Sequence, residues 1–173
     1  MADLWDEIAG GAVEESSLWA DCLSAAPDRV AIFSPLGAPE HALGLETIYE
    51  GYLVHYGRSR LFEPPDDDSA LLLGDYLYAH GLVRIAAAHD VAAVADLSEL
   101  ISLSSQLQAE ERDGDGPLWA ATAALLGRRE LEEPFAALRL RADPVPLDAA
   151  ARAAAGDAAV DAALAAHAVR RVR

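Results

Sequence analysis

Asp66, Asp67 and Asp68 stand in a row, followed by Ser69 and then by Asp75 and His80. This is the densest group of chemistry-bearing side chains in the sequence. Carboxylates in such number invite a divalent cation, whose oxygen ligands must converge on one point at about 2 Å. Consecutive residues on a helix do the opposite, because successive side chains fan out around the axis. Three acids before Ser69 fit a helix start better, where a side-chain oxygen accepts from an orphan backbone N–H and negative charge suits the positive end of the dipole. Leu71, Leu72, Tyr76, Ala79, Leu82 or Val83, and Ala86 recur beyond it at three- and four-residue spacing and predict a long helix with a broad apolar face. Asp75 lies within that apolar pattern, so its carboxylate must reach water or find a donor. Gly74 beside it costs about 1 kcal/mol relative to alanine in a helix, which predicts the close approach of another helix or chain.

The remaining candidates carry less chemistry. Five histidines, at positions 41, 55, 80, 89 and 167, raise the question of a metal. A carboxylate-bridged bundle site needs Glu-x-x-His pairs, whereas Glu50 to His55 and Asp75 to His80 are five apart and point to different faces. Surface or hydrogen-bonded core histidines are expected, with His80 one turn from Tyr76 and able to bond within an interface. All thirteen basic residues are arginine. With no lysine, a Walker-type phosphate loop, a Schiff base and a lysine base are excluded. The single Cys22 excludes an intramolecular disulfide and a cysteine-built zinc cluster, and is expected as a small buried hydrophobe. Ser102, Ser104 and Ser105 lack the surroundings of a nucleophilic serine but leave room for a neighbouring helix. The acidic runs at 110–113 and 130–133 are expected as solvated faces. No metal, cofactor or catalytic residue is expected.

The elements that must hold these residues are helical. A chain of 173 residues with 53% hydrophobic residues, rich in alanine and poor in aromatics, fits one all-α domain. The net charge of −16 argues against nucleic acid and anionic membranes. No apolar stretch reaches the roughly 18 residues of a membrane span. An acidic N-terminus without an apolar core suggests no export, so a cytoplasmic protein is expected. Residues 1–26 predict a short helix, a break at Gly10 and Gly11, and a second helix with Val13, Leu18, Trp19 and Leu23 on its apolar side. Arg29 to Pro35 is strand-like but short, and a buried connector is expected. Helices follow over 39–61, with Leu45, Ile48, Tyr49, Tyr52, Leu53 and Tyr56 on one face, over about 69–89, and over 91–111 with Asp90 as its cap. Beyond Pro117 we expect helices over 118–126 and 129–141. A boundary at Asp143 divides a bundle core, 1–143, from an alanine-rich tail, 144–173. The tail has a break at Gly156 and Asp157, buries little area per residue and is expected to be loosely attached or dependent on a partner, and ends in Arg170, Arg171 and Arg173, which suit its dipole. In all, six to eight helices are expected, with an antiparallel hairpin of 69–89 and 91–111 at the centre.

The run Ala70 to Ala79, with Gly74-Asp75-Tyr76-Leu77 at its heart, followed by a small-residue helix and Leu97-Ser98-Glu99-Leu100-Ile101, resembles the trans-isoprenyl diphosphate synthase family over about residues 66–111. The resemblance implies part of that family's helical fold. Catalysis in the family requires two Asp-rich motifs that hold diphosphate through magnesium. Where the first would fall, this chain has Glu46-Thr47-Ile48-Tyr49-Glu50, and no second motif follows Leu126. A chain with the Gly-Asp-Tyr-Leu helix but without the metal motifs is similar to the non-catalytic small subunits of heteromeric long-chain prenyl diphosphate synthases. That similarity implies binding to a catalytic subunit and a part in setting product chain length. It also implies that Leu71, Leu72, Gly74, Asp75, Tyr76, Ala79 and Val83 line the interface, with Asp75 as a hydrogen-bond acceptor across or beneath it. Two alternatives stay open: a homo-oligomeric helical protein unrelated to prenyl transfer, and a divergent magnesium-dependent prenyltransferase drawing ligands from Glu46, Glu50, Asp66, Asp67 and Asp68.

Overall fold

Helix α6, Asp115–Leu125, is apolar on every side, and a helix of that kind belongs in the middle. The computed structural model describes residues 3–171 and places α6 there, with all its residues but Pro117 buried. Arg173, expected at the end of the last helix, lies outside the described residues. The other helices are α1 (Leu4–Glu15), α2 (Ser17–Asp21), α3 (Ala42–Tyr56), α4 (Asp67–Ala87), α5 (Val91–Ala109), α7 (Glu132–Arg141), α8 (Val145–Ala155) and α9 (Asp157–Arg170), of which α5, α8 and α9 pack directly on α6. The fold is an all-α, single-domain bundle of nine helices among the described residues. The connector 29–35 is no strand, and it buries Ile32 and Phe33 in the core.

Local chemistry sets several helix ends. Asp66 caps α4, accepting from the Ser69 N–H at 2.7 Å, and Asp90 caps α5, accepting from the Ala93 N–H at 2.9 Å. Gly156, at φ +87°, separates α8 from α9 in a conformation that a side chain would strain. Near the N-terminus the break falls at Ser16 and not at Gly10-Gly11, and α1 runs through both glycines. Gly11 leaves space that Arg84 and His80 of α4 occupy, which accounts for a glycine there.

The tail is an integral part of the core, contrary to the loose attachment expected. Leu147 and Ala151 of α8 and Val160 of α9 are fully buried beside Leu118 and Trp119. A smaller cluster of Trp5, Ile8, Trp19, Cys22, Phe62, Leu73 and Leu77 joins α1, α2 and α4.

The tightest pairing in the bundle is α3 with α4, not α4 with α5. Gly44 and Gly51 of α3 meet Gly81 and Gly74 of α4 in antiparallel register. A Cβ added at Gly51 would lie 2.9 Å from the Gly74 carbonyl oxygen, and one at Gly81 would lie 2.9 Å from that of Gly44. The two backbones therefore touch, a distance that only residues without side chains allow. Consecutive α4 and α5 join through a short turn in which His89 adopts φ +59°, and α5 packs through its leucines.

Candidate functional site

The pairing with α3 decides which side of α4 faces water. Leu73, Gly74, Leu77, Tyr78, Gly81 and Ile85 turn inward. On the opposite side Leu71 is 54% exposed, Leu72 57% and Val83 63%, with Asp75, Ala79, Ala86 and Ala87 also exposed. Along more than four turns this outward face carries one charge, Asp75. An apolar helix left half in water is the most conspicuous unpartnered surface feature of the chain.

The seven residues expected at an interface thus divide. Leu71, Leu72, Asp75, Ala79 and Val83 share the outward side. Gly74 points into α3, where an added Cβ would meet the His55 ring at 2.4 Å; the close neighbour expected of it is a helix of this same chain. Tyr76 is half-buried: its hydroxyl donates to the Gly11 carbonyl at 3.0 Å, and its ring lies against Trp19 and His80. It ties α4 to α1 and α2. Asp75 is not enclosed in apolar surroundings, since its side chain is 67% exposed and pairs with His55 Nε2 at 3.3 Å. Burial pushes the His55 pKa below its ordinary value, and the Asp75 carboxylate only partly opposes that.

Three of the five carboxylates that could have made a metal site, Glu46, Glu50 and Asp66, are committed elsewhere, while Asp67 and Asp68 are exposed. Glu46 and Glu50, one turn apart on α3, are fully buried and flank the fully buried Arg60. Arg60 Nη1 donates to Glu46 Oε2 at 2.6 Å, and Nε donates to Glu50 Oε2 at 2.8 Å. Glu46 Oε1 accepts from the backbone N–H groups of Ile32 and Ser34, while Glu50 Oε1 accepts from those of Arg60 and Leu61 and from the Ser59 hydroxyl. The guanidinium lies between the Trp5 and Tyr49 rings, 4.7 and 4.9 Å from their centroids. Two connectors without regular structure, 28–33 and 57–62, are thereby pinned to α3. Asp66 is spent on the α4 cap, and that hydrogen bond holds its carboxyl below the usual range.

A second buried polar cluster joins α3, α6 and α9. Tyr52 donates to Asp115 Oδ2 at 2.5 Å. His167 Nε2 lies 3.1 Å from the same oxygen and Nδ1 lies 2.9 Å from the Tyr49 hydroxyl. Nε2–H donating to Asp115, with Nδ1 accepting from Tyr49, satisfies both bonds. Burial would raise the Asp115 pKa, but the His167 and Tyr52 hydrogen bonds and the Arg171 charge outweigh it and hold it at about 2. Burial pushes both tyrosines well above their ordinary value. Every proton in this Asp-His-Tyr chain is committed, and both ends are buried, so the cluster fastens α9 to the bundle and presents no nucleophile.

The sequence offered some signal for these clusters. Glu46 and Glu50 at four-residue spacing in an apolar helix were visible. Arg60 and Asp115 carry no local signal, and His167 stands out only as one of five histidines, because the partners of all three are distant in the chain.

Comparison with family models, with curated proteins and with solved structures finds no match.

Proposed function

We propose that this chain is a non-catalytic helical subunit that docks, through the outward face of α4, onto a catalytic prenyl diphosphate synthase chain bearing the Asp-rich metal motifs. The observation that carries the reading is the exposed apolar side of α4 formed by Leu71, Leu72, Ala79 and Val83. It lies within the stretch that resembles the isoprenyl synthases, on the helix whose likeness implied an interface.

The sealed carboxylates support a subunit without its own chemistry. Magnesium-bridged diphosphate needs carboxylates free to converge on the metal. Glu46 and Glu50, at the place where the first motif would fall, instead share the Arg60 guanidinium and accept from backbone donors. The middle of the bundle supports the same division of labour. Trp119, Tyr49, Tyr52 and Phe33 fill it ring against ring, at centroid separations of 4.9–5.9 Å where α6 crosses α3, so a growing prenyl chain belongs in the partner. An influence on product length then acts through the contact with α4.

The experiment is a product assay with the aspartate-motif chain of the source cell, alone and with this protein. Longer prenyl products or higher turnover only in the mixture supports the reading. Identical products with and without this chain, together with no complex, refutes it.

A further inference from the structure

The outward face of α4 has an acidic border. Beside it, α1 and α4 enclose an open cleft of about 510 Å³ lined by Asp6, Glu7, Glu14, Glu15, His80 and Arg84, with Gly10 and Gly11 at its floor. His80 and Arg84 lie roughly a quarter-turn round α4 from Ala79 and Val83, so the cleft borders the apolar stripe on the side that faces α1. At the helix start, Asp67 and Asp68 are exposed, and Asp75 interrupts the stripe.

Positive charge in this region is scarce. Arg84 turns under the helix, donating to the Thr47 hydroxyl and to the Glu7 carbonyl, both at 2.9 Å. Burial and the nearby Arg84 charge push the His80 pKa below its ordinary value, which keeps the ring neutral at pH 7. Asp6 has a partner in Arg29 at 2.8 Å. Glu14 and Glu15 have no ion-pair partner among the described residues.

A second copy of this chain is a poor occupant. A two-fold contact sets the same patch against itself. It would set a patch bearing Glu14, Glu15, Asp67, Asp68 and Asp75 against an identical net-acidic patch, with no lysine in the sequence and Arg84 turned inward. Like charges brought together across an interface cost several kcal/mol.

We propose that the α4 face and the acidic cleft form one docking surface for a different chain, which lays an apolar helix along Leu72, Ala79 and Val83 and places an arginine or lysine in the cleft between α1 and α4. This rests on the docking role of α4 proposed above, and adds the chemistry of the partner and the exclusion of self-pairing. The apolar stripe supplies area and the cleft supplies selection, because a basic side chain on the correct flank finds unpaired carboxylates and an acidic one is repelled.

The test uses the full chain and two fluorescently labelled helical peptides of α4's own length. Both carry the same leucine and alanine stripe, one flanked by arginine and the other by glutamate. Binding is followed by anisotropy at about 150 mM salt, where the Debye length of about 8 Å screens distant charges. The arginine-flanked peptide is expected to bind at least about tenfold more tightly, a difference of about 1.4 kcal/mol. The double variant Glu14→Lys, Glu15→Lys removes that preference, and Val83→Arg removes binding of both peptides, each with unchanged circular dichroism. Glu130→Lys, Glu133→Lys makes the same change in net charge at exposed positions beside and within α7 and leaves the preference within about twofold.

Equal weakening by the α1 and α7 double variants overturns the proposal, since the preference then reflects only the overall charge of −16. Equal binding of the two peptides, binding of neither, or a homodimer abolished by Val83→Arg overturns it as well. If the arginine-flanked peptide binds as expected but the aspartate-motif synthase chain does not, the prenyl reading fails while the docking surface stands.

Discussion

Replacing Arg60 by methionine tests the most heavily determined feature of the fold. Methionine keeps the stem of the side chain but removes the guanidinium from between Glu46 and Glu50, all three fully buried. It also removes donors to the Val30 and Glu46 carbonyls and the contacts with the Trp5 and Tyr49 rings. Breaking a buried ion pair from one side costs about 3–5 kcal/mol, because the surviving charge stays out of water without its partner. Two carboxylates are stranded here, although each keeps backbone N–H donors, so the cost is expected within that range and not at twice it. For a protein of this size it corresponds to a fall of roughly 6–20 °C in Tm. Urea unfolding at pH 7, followed by circular dichroism, measures it directly. The triple variant Arg60→Met, Glu46→Gln, Glu50→Gln should recover part of the loss, since no stranded charge remains. A loss below about 1 kcal/mol for the single variant, or a triple variant no more stable than the single, would refute the view that Arg60 holds these two carboxylates in the core.

Two further predictions concern the helices that position the site. Gly81→Ala places a Cβ 2.4 Å from Ile48 Cγ1 and 2.9 Å from the Gly44 carbonyl, which forces α3 and α4 apart at a cost of about 1–3 kcal/mol; Gly10→Ala, with nothing within 4 Å, should instead stabilise α1 by about 0.5–1 kcal/mol, both read from urea midpoints. Asp115 has a folded pKa depressed from 3.8 to about 2, so its contribution of about 2 kcal/mol is fully present above the unfolded value and disappears as pH falls through the folded one; the stability gap between wild type and Asp115→Asn should be wide at pH 6 and shrink between pH 4 and pH 2.

The sequence disclosed what depends on neighbouring residues. The Asp90 cap and the break at Gly156 are local signals and stand where they were expected, whereas α4 starts at Asp67 against an expected start near 69 and α6 at Asp115 against 118. The pairing of α4 was harder to see, because α4 is apolar nearly all round and its periodicity does not tell the buried side from the wet one. The information lay in glycine spacing: Gly44 and Gly51, like Gly74 and Gly81, are seven apart and stack on one side of each helix. Gly10 and Gly11 looked like a break because isolated helices avoid glycine, whereas in the folded chain α4 packs against Gly11. The committed carboxylates were legible only as types. That Glu46 and Glu50 enclose Arg60, and that His167 bridges Tyr49 and Asp115, follows from contacts across the fold that spacing does not encode.

The docking role of α4 is tested most directly by the mass of the complex in solution. This protein and the aspartate-motif synthase chain of its source cell are mixed in equal amounts and measured by light scattering, with wild type and Val83→Arg in parallel. Val83 is 63% exposed and outside the described core, so the variant should fold normally. A stoichiometric complex with wild type that is lost with Val83→Arg is the predicted result. No complex with wild type, or one that Val83→Arg leaves intact, would contradict the account.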